Sequence, residues 1–397
     1  MRKSTSLVIT LSAGIAVAVS CSKKSEVAGP LPASYPAITA AFGSNIDPAQ
    51  LANYAGQSKP AYITKDNTGG NPITDAKATL GRVLFYDKAL SINNSVACAS
   101  CHRQAFAFSD TALVSAGVEG GTTGRHSMRL VNARFSREVK FFWNERAANL
   151  EQQTTMPIQD HAEMGFSGTS GRPGISTLLT KLQAIDYYKE LFRFVYQDES
   201  VTEARLQECL AQFVRSIQSF DSKYDAGRAA APNDGAPFAN FTAQENQGKQ
   251  LFLQPPQFTG SSRTGGGLGC GGCHGAPEFD IDPVTRNNGI IGTIGTTTLD
   301  LNSTRAPTLR DLVRVGGGLN GPMMHTGVFT SLQQVIGHYG AINLAPGNTN
   351  LDQRLRPGGS GQQLNLTAAE VQAVTAFLGT LSGTAVYTDA RWSDPFR

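Results

Sequence analysis

Cys98-Ala99-Ser100-Cys101-His102 and Cys270-Gly271-Gly272-Cys273-His274 decide how this chain is read. Each is a complete C-x-x-C-H. Two thiols two residues apart, with an imidazole directly behind, match the attachment of a c-type haem. The thiols form thioethers with the vinyl groups, and the histidine is delivered to the iron. A zinc ribbon or a thioredoxin-like redox pair also contains C-x-x-C, but neither needs a histidine behind the second cysteine in both copies. Two covalent haems are therefore expected, on His102 and His274.

Working outward, the same lead-in precedes each motif: Gly81-Arg82-Val83-Leu84-Phe85 before the first and Gly248-Lys249-Gln250-Leu251-Phe252 before the second. Both read as helix. Thr242-x-x-Glu245 is a capping box for the second, and Thr367-x-x-Glu370 caps a later helix with Val371, Val374, Leu378 and Leu381 on one face. Leu206, Cys209, Leu210, Phe213 and Ile217 repeat with helical period, which makes Cys209 a small buried hydrophobe. The repeat predicts a mainly α fold of two cytochrome-c-like haem domains, residues 61–235 and 236–397, with long Gly-rich loops such as Thr264–Gly272. The join is expected near Ala226–Ala239, where Ala, Pro, Gly and Asn accumulate, and Ile290–Leu301 as a short hairpin or extended loop.

The 397 residues carry a formal net charge of +3, too balanced for a broad phosphate-binding surface, so no nucleic-acid partner is expected. With 20 Phe and 10 Tyr the chain can bury a core, which excludes general disorder. Residues 1–20 read as an export signal: Arg2 and Lys3, then the apolar run Leu7–Val19, shorter than the roughly 20 residues that span a bilayer. Ala18-Val19-Ser20-Cys21 resembles a bacterial lipobox, so Cys21 is expected to carry lipid and residues 21–60 to form a tether and lead-in. Ordinary signal cleavage beside a bystander cysteine is the alternative. The expected location is the periplasm, lipid-anchored at the outer membrane in preference to the inner, with no other membrane contact.

The chain as a whole resembles the bacterial di-haem cytochrome c peroxidase family, which includes the MauG-type enzymes. The resemblance rests on Leu80-Gly81-Arg82-Val83-Leu84-Phe85, the two haem motifs, Phe142-Trp143-Asn144-Glu145-Arg146-Ala147-Ala148, Gln152-Gln153, Met156-Pro157-Ile158, Glu163-Met164-Gly165, Arg305-Ala306-Pro307-Thr308-Leu309-Arg310 and His325-Thr326-Gly327, in that order. It implies that the first haem domain is peroxidatic and the second transfers electrons. Trp143 resembles the tryptophan between the two haems. Glu163 resembles the distal glutamate that moves protons during O–O cleavage, with Gln153 as its companion amide and Phe142 as an apolar wall. A carboxylate in such a pocket should have a raised pKa.

The sequence departs from the better-known peroxidases at two places. Many of them carry a histidine in the loop after the first haem motif, capping that iron; the matching position is Val118, which cannot ligate. His126 stands where many members have an asparagine that binds an inter-haem calcium. The first haem is then expected to be open without prior reduction, with His126 as an alternative cap. A calcium would be left with backbone carbonyls near Asn320 and Pro322. At the second haem, the position often held by an axial Met is Tyr339, as in the MauG-type enzymes. A phenolate is a hard anionic donor and should lower the potential. His338 competes for that place, and Met323 or Met324 is a third candidate.

Three functions follow. The first is reduction of hydrogen peroxide to water, with electrons from a small periplasmic donor (a cytochrome c or cupredoxin) entering at the second haem and relayed through Trp143. The second keeps the peroxide chemistry but oxidises side chains of a partner protein. The third is a plain electron-transfer cytochrome with two six-coordinate haems. Homodimers occur in such a family, and no segment here identifies an interface.

Overall fold

The computed structural model describes residues 34–397, apart from 138, 282–284 and 303. The export signal, Cys21 and the first part of the tether lie outside the described residues. Tyr35–Arg397 forms one compact unit, mostly helical, organised around two large apolar cores. Among the described residues no helix is long and apolar enough to cross a membrane.

Each core is built on the same helix pair. In the first half, Asp75–Tyr86 packs against Glu203–Ser216; in the second, Ala243–Leu253 packs against Ala368–Gly379. All four start on a threonine whose side chain accepts a backbone N–H of the first turn, and the last two complete the capping box with Glu245 and Glu370. The buried faces carry Leu80, Leu84, Phe85, Leu206, Leu210 and Phe213 in one core, and Phe252, Val374, Phe377 and Leu378 in the other. Cys209 is fully buried in the first, its sulfur 3.2 Å from the Tyr196 hydroxyl.

Both crossings are made by the repeated glycine. A Cβ on Gly81 would stand 2.0 Å from the carbonyl oxygen of Cys209, and one on Gly248 would stand 1.9 Å from that of Ala373. Backbone therefore touches backbone, and no side chain fits between. Gly81→Ala and Gly248→Ala should each cost about 3 kcal/mol or more, because overpacking at the contact outweighs the roughly 1 kcal/mol that alanine gains in a helix. Thermal unfolding should fall by several degrees. Gly379→Ala, at a helix end where a Cβ meets nothing within 4 Å, should leave it unchanged or raise it slightly.

Three features differ from the sequence expectation. The proposed join begins inside a helix, Lys223–Ala230, because Ser222 and Asp225 form a capping box there; only the residues after Ala230 are irregular. Its Asp225 makes a buried ion pair with Arg310 at 2.8 Å. Thr264–Gly266 is not loop but the end of strand β2 (Ser262–Gly266), paired antiparallel with β1 (Pro256–Thr259). The last dozen residues, grouped above with the second haem domain, return to the first core. Trp392 is buried there with its indole N–H 3.2 Å from the Ser216 hydroxyl, and the Tyr54, Arg82 and Tyr86 side chains donate to the carbonyls of Arg391, Ser393 and Trp392. Ile290–Leu301 is a hairpin-like loop closed by a Gly292–Leu299 bridge.

Candidate active site in two adjoining cavities

The first cavity, about 420 Å³, is lined by Cys98, Cys101 and His102 together with Phe142, Trp143, Arg146, Gln153 and Glu163. Cys98–Cys101 is a single helical turn, with the Ser100 hydroxyl accepting the Ala97 N–H at 3.0 Å. The chain then reverses through Ala107 and Phe108, both at positive φ (54° and 58°), which returns the Phe108 carbonyl to 3.1 Å from His102 Nδ1. A carbonyl can only accept, so this contact places the proton on Nδ1 and leaves the Nε2 lone pair for a metal, with the Met128 carbonyl also acting on the ring. Burial lowers the basicity of this imidazole. It also pushes the thiols of Cys98 and Cys101 up to about 12 and about 11, and neither is in a disulfide.

Of the Gln152-Gln153 pair only Gln153 reaches the cavity, because Asn149 caps Leu150–Thr155 and Gln152 turns outward to accept the Ala148 N–H at 2.9 Å. Glu163 is set by Asp160, whose carboxylate accepts the Ala162 and Glu163 N–H groups at 2.8 and 3.0 Å. The Glu163 carboxyl is pushed up to about 7, first by burial and then by the Asp160 charge, against the pull of Arg146. The Arg146 guanidinium lies 3.4 Å above the Phe142 ring, and Phe142 has φ 69°.

Val118 does not line the cavity. It is buried with its N–H 3.1 Å from the Glu163 carbonyl oxygen, so its loop braces the glutamate from behind. His126 lines both cavities, but its Nδ1 is 3.0 Å from the Ala112 carbonyl and its Nε2 lies against Gly321, 3.2 Å from where a Cβ would be. Burial pushes its pKa down to about 4, and Nε2 has no hydrogen-bond partner. Asn320 spends its amide N–H groups on the Asp311 carbonyl (2.6 Å) and the Tyr387 hydroxyl (2.7 Å), leaving Oδ1 without a partner, and Pro322 lines the second cavity. An imidazole at His126 is a poor donor for a hard cation such as calcium.

The second cavity, about 660 Å³, holds Cys270, Cys273, His274, Met323, Met324 and Tyr339. His274 opens the short strand β3 (His274–Gly275), paired with β4 (Asp280–Ile281); burial pushes its pKa down to about 4. Leu332–Gly340, capped by Ser331, carries both His338 and Tyr339. The helix turns them apart. His338 Nε2 is 2.9 Å from the Asn288 carbonyl oxygen and outside the cavity, whereas Tyr339 lines it. The Tyr339 oxygen accepts from the Asn288 side-chain amide at 3.3 Å; the same amide is 3.5 Å from the Met324 sulfur.

Trp143, Arg129 and Arg305 line both cavities. Trp143 sits in a turn closed by a Phe141–Ala147 bridge; its indole N–H donates to the His126 carbonyl and its own carbonyl accepts the Arg305 N–H, both at 2.7 Å. The two arginines were assigned no role from sequence, although Arg305 heads a quoted motif; Arg129 has no local signal. Nor had Asp160 or Asn288.

The residues present fit two c-type haems. Both volumes fall in the usual range of cofactor pockets, roughly 300–1,000 Å³. Each cavity supplies a thiol pair and a neutral imidazole, and the side-chain Nε atoms of Arg129 and Arg305 are buried with no partner, ready for the carboxylates a haem brings.

Residues 75–231 match the family described as di-haem cytochrome c peroxidase. A methylamine utilization protein MauG from Methylophilus methylotrophus is 28% identical over 81% of this chain and 86% of its own. The cytochrome c551 peroxidase of Nitrosomonas europaea is 25% identical over 77% of this chain and 80% of its own. Among solved structures, a MauG-like protein associated with microbial copper homeostasis is 27% identical with a TM-score of 0.66, covering 86% of this chain and 99% of that one. The diheme peroxidase BthA of Burkholderia thailandensis, 22% identical with a TM-score of 0.59 over 85% of this chain and 94% of its own, shares the fold. The family match takes in the first haem motif and the Trp143 turn, and the chain is similar over most of its length to MauG proteins and di-haem cytochrome c peroxidases.

Proposed function

We propose that the protein reduces hydrogen peroxide to water with electrons from a small periplasmic donor that docks near the second haem. The supporting observation is Glu163, a carboxyl pushed up by burial and the Asp160 charge, in the same cavity as His102 and Gln153. Bound haem iron supplies the redox centre for O–O cleavage and for electron uptake. The chain's residues do the rest. His102 and His274 offer bare nitrogens, Gln153 orients peroxide by its amide N–H, and Glu163 takes the proton of one peroxide oxygen and returns it to the other. Arg146, stacked on Phe142, limits how far the Glu163 pKa climbs. Trp143, clamped on both sides, gives electrons a π-system between the cavities.

A second reading, oxidation of a partner protein's side chains, is favoured by Tyr339 in the second cavity and by relatives named MauG. A plain electron carrier would have no use for Glu163 beside Gln153. Electron paramagnetic resonance of the all-ferric protein separates the two peroxide readings from the plain electron carrier. One high-spin and one low-spin signal, both lost on adding one equivalent of peroxide, is the expected result. Two low-spin signals indifferent to peroxide would mean a capped first haem, with His126 as the first suspect, and would sink the reading of a haem open without prior reduction; peroxide turnover that stays absent after one-electron reduction would sink the peroxidase reading itself.

The lipid anchor at Cys21, and with it the outer-membrane location, belongs to the same proposal. Labelled fatty acid should enter the wild type and be lost with Cys21→Ala; label that survives the substitution would refute it.

A further inference from the structure

Arg129 is a cation without an anion. Its Nη2 donates to the Thr308 carbonyl at 2.9 Å and its Nε is buried with no partner. Among the described residues no carboxylate lies within ion-pair distance of it. The titratable groups that face it from a distance are Asp311 and the Tyr387 phenol, which burial keeps protonated, and it in turn depresses His126. Arg305, its neighbour on the wall, differs. It reaches Asp280 at 3.5 Å and the Ser136 hydroxyl at 2.9 Å, leaving only Nε unpartnered. Arg129 is half-buried, but its guanidinium faces two cavities with Nε buried and no counter-charge, an arrangement that is costly and persists where a ligand's charge completes it.

Both arginines line both cavities, whereas Arg286 lines only the second. We propose that Arg129 is a carboxylate-binding site shared by the two haems, with Arg305 Nε as a second donor, so that one cation holds the acidic edge of both groups and ties their potentials together. A planar guanidinium suits this better than an ammonium, since its fork presents several N–H groups to carboxylates arriving from two sides. The inference rests on both cavities carrying haem, and not on which substrate is oxidised.

Spectroelectrochemical titration of the purified protein tests it, with covalent haem counted in every preparation. Arg129→Gln should make both haems harder to reduce, by about tenfold in each ferric–ferrous equilibrium, or about 59 mV. Loss of a positive charge beside a redox centre favours its oxidised form. Arg129→Lys should restore most of both shifts. Arg286→Gln should move the second haem alone or neither. If the glutamine variant does not retain haem, Arg129→Met is read the same way, and loss of both haems together, rescued by lysine, is again the expected pattern. A neutral variant that shifts or loses one haem while the other stays as in the wild type overturns the proposal. So does one that moves neither with both in place. A wild type carrying fewer than two haems would instead refute the di-haem reading beneath it.

Discussion

Glu163→Gln should lower the peroxide turnover number by about 10² to 10⁴, the usual worth of a positioned acid–base group. The amide keeps the shape and the hydrogen-bonding reach, so haem content and the ferric spectrum should stay as in the wild type. The pH profile carries the sharper test. The carboxyl is pushed up to about 7 by burial and by Asp160, and it must be ionised to accept a proton from peroxide. Wild-type activity should therefore rise through about pH 7 and level off above it, and the glutamine variant should be flat there. Stability should move the opposite way. A carboxyl whose pKa is raised on folding binds more protons when folded, so its contribution declines as pH rises from its unfolded value near 4.5 to about 7. The glutamine variant removes that decline and should melt higher than the wild type at pH 8 but not at pH 4. An unchanged turnover and an unchanged profile would exclude Glu163 from the chemistry.

The second large effect is expected at Tyr339. Exchanging it for methionine should raise the potential of the second haem by on the order of 10² mV, because a thioether favours ferrous iron where a phenolate favours ferric, and axial ligands span about 0.8 V. The variant should then rest half-reduced in mild reductant, which the wild type should not. Replacing His338 by alanine should leave the potential unchanged, since its Nε2 is held at the Asn288 carbonyl outside the cavity. If Tyr339→Met alters neither potential nor spectrum, the ligand is one of the two methionines in the same cavity, Met324 beside the Asn288 amide or Met323.

Much of this molecule could be read from local sequence. C-x-x-C-H is contiguous because both thiols and the imidazole must meet one planar group. Helix starts at Thr242 and Thr367 are likewise local, since a capping box closes within four residues. The glycine in each lead-in was visible as a repeat; its reason was not, because the atom it avoids lies on a helix more than a hundred residues away. Composition suggested an irregular join from Ala226 to Ala239, whereas Ser222 and Asp225 cap a helix that runs to Ala230 and only the later part of that stretch is irregular.

The sequence by itself determined the two C-x-x-C-H motifs, the helical character and the likeness to di-haem peroxidases, all of which depend on neighbours in the chain. Only the tertiary structure decided which of two adjacent residues faces a cavity: Gln153 over Gln152, Tyr339 over His338. Helical rotation about one axis sets that, and the axis is placed by packing. Tertiary structure alone also returned Trp392 to the first core and put Arg129 against both cavities. A buried charge is defined by what surrounds it in space, and no residue type or spacing along the chain records that its partner is missing.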